Sequence, residues 1–163
     1  TYASSGSGSP QHLSAELFKA MTGTDITHVP YKGAAPAITD MLAGQVDLQF
    51  GAINSLLPHI RTGKLRALAV GGTRRASLLA DVPTMAEAGL PQYDSEIWLG
   101  LAAPAGTPAA VIKRINADVT KILNEPEVKE KLAEQGIETR PSTPQEMTKL
   151  VEKDTARWAS VIK

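Results

Sequence analysis

Near its start the chain runs Ser4-Ser5-Gly6-Ser7-Gly8-Ser9-Pro10-Gln11-His12, flanked by the apolar pair Tyr2-Ala3 and by Leu13, Leu17, Phe18 and Met21 at helical spacing. A strand, a loop of small residues and a helix in that order restrict the fold more than any other stretch. Ser9 is a favourable N-cap, and Pro10 suits the first helical position, where its missing N–H would have had no partner. The glycines let backbone N–H groups turn inward, four serines add hydroxyls, and a helix start carries a partial positive charge. Together they describe a cradle for an anion. The loop holds no lysine or arginine, which favours a carboxylate over a triphosphate. An N-capped turn or a solvated linker is the plainer reading of the same letters.

Known phosphate and catalytic signatures do not fit. Gly6 and Gly8 begin a G-x-G-x-x-G pattern, but residue 11 is Gln and no Gly-Lys-Ser/Thr follows. A nucleophile elbow, G-x-S-x-G, fails because Ser7 is flanked directly by glycines and Ser9 is followed by Pro10. His12, His28 and His59 lack metal-ligand spacing, and nothing places Ser, His and Asp together as a triad. No catalytic residue, no metal and no cofactor is therefore expected. Balanced charge, 17 basic against 17 acidic residues, gives no electrostatic footprint for nucleic acid or an anionic membrane. The absence of cysteine excludes disulfides and thiolate chemistry. No apolar run reaches the roughly 18 residues of a membrane span, and no signal peptide is seen. At 163 residues the chain suits one well-buried domain or two small lobes. Its first residues read as the end of a strand, so a fragment is expected.

Further along, strands and helices alternate at short intervals. Ile26 to Tyr31 reads as a strand, Lys32 to Pro36 turns into a helix with Ile38, Met41 and Leu42, and Gly44 ends it. Val46 to Phe50 reads as a strand, Leu56 to Arg61 as a short helix closed near Gly63, and Lys64 to Val70 as another strand. Such alternation predicts a mainly parallel α/β sheet, with ligands bound where the Ser4–Ser9, Tyr31–Ala35 and Phe50–Asn54 loops gather at the carboxyl ends of the strands. After Gly72 the character changes. Leu78 to Thr84 makes a turn, Met85 to Ala88 a short helix stopped by Gly89, and Glu96 to Ala103 an apolar strand. Thr107 is read as a cap and Pro108 as the opening of a helix bearing Val111, Ile115, Val119 and Ile122. A second helix runs from Glu125-Pro126 to Gly136, Ile137 to Thr139 is strand-like, and a last helix begins at Ser142 to Glu146. No internal repeat is apparent.

The phrases TYASSGSGSPQHLSAELFK, HVPYKGAAPAITDMLAGQVDLQF, LPHIRTGKLRALAV, LADVPTMAEAGLP and LAAPAGTP, in this order over nearly the whole chain, resemble the Bug-type solute receptors of tripartite tricarboxylate transporters. The resemblance implies a two-lobed α/β fold of the periplasmic-binding-protein kind (type II, Venus flytrap). It also implies a periplasmic location, capture of a small di- or tricarboxylate without catalysis, and delivery to membrane permease subunits. On this reading about the first half of a complete receptor is missing. Residues 1–70 form most of the second lobe, 71–95 a crossover, and 96–163 the helix-rich C-terminal part of the first lobe. Exposed apolar surface, at Val111, Ile115, Val119 and Trp158, is expected to promote association.

Site residues follow from the same resemblance. Ser5, Ser7, Gly8 and Ser9 match the family's carboxylate loop, and Gln11 lies within reach of the ligand, while His12 reads as a packed or hydrogen-bonded residue. Tyr31, Lys32 and Gly33 form the second loop, where Lys32 either attracts anions or is simply solvated. Phe50 and Gly51 form the third. Many relatives carry an aspartate after this phenylalanine, so Gly51 removes an obvious partner for an amino-acid ligand's ammonium group. Glu125, Glu127, Lys129, Glu130 and Lys131 read as a solvated face with at most a minor role at the permease. Two rivals remain: the effector-binding domain of a transcriptional regulator, which would normally carry a helix-turn-helix, and a small α/β hydrolase, which would need an activated nucleophile.

Overall fold

The computed structural model describes residues 1–162, so Lys163, the last residue of the expected C-terminal part, lies outside the described residues. Two compact units make up the chain, one of Thr1–Ile97 with residues 161 and 162, the other of Trp98–Ser160.

The first unit is built on a three-stranded parallel sheet, ordered β2-β1-β3, from β1 (Tyr2–Ser4), β2 (His28–Pro30) and β3 (Leu48–Gln49). Tyr2 pairs with His28 on one side and Leu48 on the other, and Ala3 with Val29 and Gln49. A central parallel strand is covered on both faces, and all three residues of β1 are fully buried. Successive side chains point to opposite faces. Tyr2 reaches α1 (Pro10–Thr22) by donating its hydroxyl to Glu16 at 2.7 Å. Ala3 packs with Ala37 of α2 (Ala34–Leu42) and with Val46, so the two helices cover opposite faces. Burying a side chain as completely as Val46 contributes about 1.5–3 kcal/mol.

Local sequence sets the ends of α1. Ser9 is its N-cap, with Oγ accepting the His12 N–H, and Pro10 follows at the first position. At the other end Gly23 takes a left-handed conformation and its N–H returns to the Lys19 carbonyl. The third helix, α3 (Ile53–Arg61), starts three residues before the expected Leu56. Beyond it the unit is mostly irregular, with one short 3-10 helix at Ser77–Leu79. Tyr93 ties this region to α1 by donating its hydroxyl to the Ser14 carbonyl at 2.9 Å.

The second unit is helical: α4 (Ala109–Asn124), α5 (Pro126–Ala133) and α6 (Pro144–Ala159). A capping box opens α6, with Thr143 Oγ1 accepting the Glu146 N–H while Glu146 accepts the Thr143 N–H.

Five local expectations are corrected. Lys64–Val70 forms no strand; only Val70 is bridged, in parallel, to Thr84. Met85–Ala88 is not a helix but a turn: Ala88 N–H reaches the Thr84 carbonyl, and Leu90 N–H closes the turn onto Met85. Glu96–Ala103 and Ile137–Thr139 also have no ladder partner among the described residues. In the former, Leu99 is 86% and Leu101 68% exposed. Apolar β-branched letters record a preference for extended backbone, but a ladder also needs a neighbouring edge. Thr107 does not cap α4. Its hydroxyl bonds back to the Pro104 carbonyl, and Pro108 stands at the N-cap.

Candidate functional site

The loops that follow β2, β1 and β3 begin at neighbouring strand ends because the three strands are parallel and hydrogen-bonded in that order. In the central loop, Gly6 (φ 134°) and Gly8 (φ 76°) hold backbone conformations that L side chains rarely adopt. Ser9 N–H closes the turn onto the Gly6 carbonyl at 3.2 Å. The loop then passes directly into the capped start of α1.

The expected residues of the first two loops come together. Ser5 Oγ donates to Gln11 Oε1 at 2.9 Å, and the Ser5 carbonyl accepts the Gly33 N–H at 3.2 Å. The Tyr31 N–H bonds to the Ser4 carbonyl at 3.0 Å, so the backbones of the two loops are stitched side by side. Ser7 and Gly8 are exposed, Ser9 half-buried. Ser7 N–H, Ser7 hydroxyl, Gln11 N–H and the Gln11 side-chain amide donor make no hydrogen bond among the described residues. Four donors at a helix start, with no cation among them, suit a small anion.

Other expected residues stand apart. Tyr31 turns its hydroxyl onto Asp40 of α2 at 2.8 Å, which raises its pKa, and only its backbone belongs to the loop. Lys32 is exposed and makes no ion pair among the described residues. The Phe50 ring packs tilted against Phe18 of α1, with centroids 5.8 Å apart, so it braces the helix. Gly51 is exposed and backed by Leu56, whose Cδ1 lies 2.8 Å from where a Cβ would stand.

Three side-chain roles escaped the sequence reading. Ser4, fully buried, shares a 2.6 Å hydrogen bond with His28 Nε2 and accepts the Gly6 N–H at 3.1 Å. His28 lies stacked against both Tyr2 and His12. Burial, and then the adjacent His12, hold His28 below the ordinary imidazole value. Burial pushes the Glu16 carboxyl upward, but hydrogen bonds from Tyr2 and Lys19 outweigh it and leave the group below the usual range. Tyr2 is driven up by burial and by its bond to Glu16. Gln49 is the third: its Oε1 is buried and has no hydrogen-bond partner among the described residues. The alternation of β2 puts His28 and Pro30 on one face, yet only the Tyr2–His28 register brings that face to His12.

An open parallel sheet with its loops gathered at the carboxyl strand ends defines the ligand-binding class of α/β proteins. The sequence matches the tripartite tricarboxylate transporter family receptor, TctC, over residues 1–163, and the chain belongs to that family. Protein BugT of Bordetella pertussis is 37% identical over 156 residues, covering 96% of this chain and 48% of BugT. Among solved structures, R. palustris Rpa4515 with adipate superposes with a TM-score of 0.90 at 41% identity, covering 98% of this chain and 54% of the other. MatC (Rpa3494) from Rhodopseudomonas palustris with bound malate gives 0.87 at 34%, covering 99% and 56%. The periplasmic binding protein BugD gives 0.86 at 31%, covering 98% and 54%. The chain therefore spans about half the length of these relatives. The expected family and the α/β fold with a parallel sheet are both borne out.

Proposed function

We propose that this chain forms part of an extracytoplasmic receptor that captures a small organic carboxylate without transforming it. The observation that carries the reading is the Ser4–Ser9 loop, with unengaged donors at Ser7 and Gln11 where it enters α1, its backbone bonded to the Tyr31–Gly33 loop. Ser7 and Gln11 hold the carboxylate through their unengaged donors, Ser5, Gly8, Ser9 and Gly33 fix the two loops around it, Lys32 adds attraction at longer range, and Phe50 braces α1 from the third loop beside Gly51. Membership of a receptor family, and relatives solved with adipate and with malate, support the ligand class. In the whole protein residues 1–70 form most of one lobe, 71–95 cross over, and 96–163 return to the other. A periplasmic receptor of this kind delivers its ligand to membrane permease subunits. The exposed Val111 and Ile115 promote association of the 163-residue chain, which light scattering against concentration measures.

The test is an NMR titration of the chain with adipate, malate and a sugar. Adipate or malate shifts the amides of Ser7, Ser9 and Gln11, and Ser7→Ala weakens binding roughly 10-fold, the scale of one hydrogen bond to a charged group. A response to sugar alone, or carboxylate shifts confined to the Glu125–Gly136 surface, defeats the proposal.

A further inference from the structure

Two imidazoles control donors in the Ser4–Ser9 loop. The rings of His12 and His28 stack with centroids 4.2 Å apart, and Tyr2 lies 4.8 Å from His28. His12 Nδ1 accepts the Gly8 N–H at 3.2 Å. His28 Nε2 bonds Ser4 Oγ, which in turn holds the Gly6 N–H. Two loop amides are thus tied down by the pair, one directly and one through Ser4.

An imidazole nitrogen can accept an N–H only while it carries its lone pair. A proton on His12 Nδ1 turns acceptor into donor, and the Gly8 N–H loses its partner. The same proton puts a positive charge beside a loop that has no lysine or arginine. The charged and titratable groups facing the ring are Glu16, 4.0 Å from His12 Nε2, Lys19, which pairs with Glu16 at 3.0 Å, Tyr2 from β1 and His28 from β2. Glu16 is already shared between Lys19 and the Tyr2 hydroxyl, so it offsets only part of the new charge.

We propose that His12 is a positioning residue for anion capture: neutral, it withholds the Gly8 N–H, and protonated, it releases that donor and adds a charge, so that affinity rises as the medium acidifies. This rests on the reading of the loop as a carboxylate site. Two imidazolium charges on rings 4.2 Å apart would repel. Burial and the adjacent His12 hold His28 below the ordinary imidazole value.

The experiment follows the His12 ring nitrogens and the Gly8, Ser7 and Gln11 amides by NMR from pH 8 to 6. It is run with no addition, with adipate, and with sulfate, whose charge is constant over this range. At the alkaline end His12 carries its proton on Nε2. The Gly8 amide then moves with the His12 midpoint, either anion raises that midpoint, and sulfate binds roughly 10-fold tighter at the acidic end, the scale of one added charge interaction near a surface. His12→Gln and His12→Asn both abolish the pH dependence. A His12 proton on Nδ1 at the alkaline end, a Gly8 amide that ignores His12, a flat affinity profile, or an unchanged slope in both variants overturns the proposal. A Gly8 amide that follows His12 while neither anion perturbs Ser7 supports the coupling and defeats the carboxylate reading instead.

Discussion

Gly33 enters α2 at φ 114° and ψ 172°, a backbone region reserved for glycine, while its N–H holds the Ser5 carbonyl. No neighbour would clash with a Cβ there, so the cost of Gly33→Ala lies in the backbone alone. It is expected to be about 1–3 kcal/mol, read as a lower urea midpoint, and a change within error would show that the loop relaxes without strain. Gln49 poses the opposite case. Its buried Oε1 lost water on folding and gained no bond among the described residues. Gln49→Met, similar in length and without the orphaned acceptor, is expected to stabilise the chain by about 1 kcal/mol. A loss of that size would mean that the amide makes a bond in solution.

At the scale of elements, α1 and α6 were the most legible because they carry their own boundary chemistry. Ser9 and Pro10 open α1, and Thr143 and Glu146 form the capping box of α6. Thr143→Ala removes an acceptor for the Glu146 N–H and is expected to cost about 1 kcal/mol, with loss of helical signal in circular dichroism; equal stability would show the box to be redundant with packing. The strands were less legible, because pairing is not a local property. Lys64, Arg66 and Leu68 are exposed while Leu65, Ala67 and Ala69 are half-buried, so the period-two pattern is real, yet only Val70 meets a partner. Thr107 shows the limit of cap reading, since its hydroxyl had a competing carbonyl three residues back. The site divided likewise. The central loop was readable from its glycines, its serines and the helix start. The His12–His28 stack depended on the β1–β2 register, which no spacing of letters encodes.

For the molecule as a whole, equal numbers of acidic and basic residues leave little net charge to drive unfolding near neutrality, so the response to acid depends on individual shifted groups. Burial and the neighbouring His12 lower the pKa of His28 in the folded chain. An unfolded chain therefore takes up that proton at a higher pH than the folded chain does. Stability contributed by His28 is complete above the ordinary value of 6.5 and is lost as the pH falls through the lower folded value. Glu16, also lowered in the fold, behaves the same way from its ordinary 4.5 downward, so acid removes stability in two successive limbs. Urea midpoints measured from pH 7.5 to 3.5 are expected to decline first below about 6.5 and again below about 4.5. His28→Phe keeps a ring between Tyr2 and His12 but cannot take a proton, and it should flatten the first limb while leaving the second. A wild-type midpoint that holds constant down to pH 5, or a first limb that survives in His28→Phe, would place the acid sensitivity elsewhere in the chain.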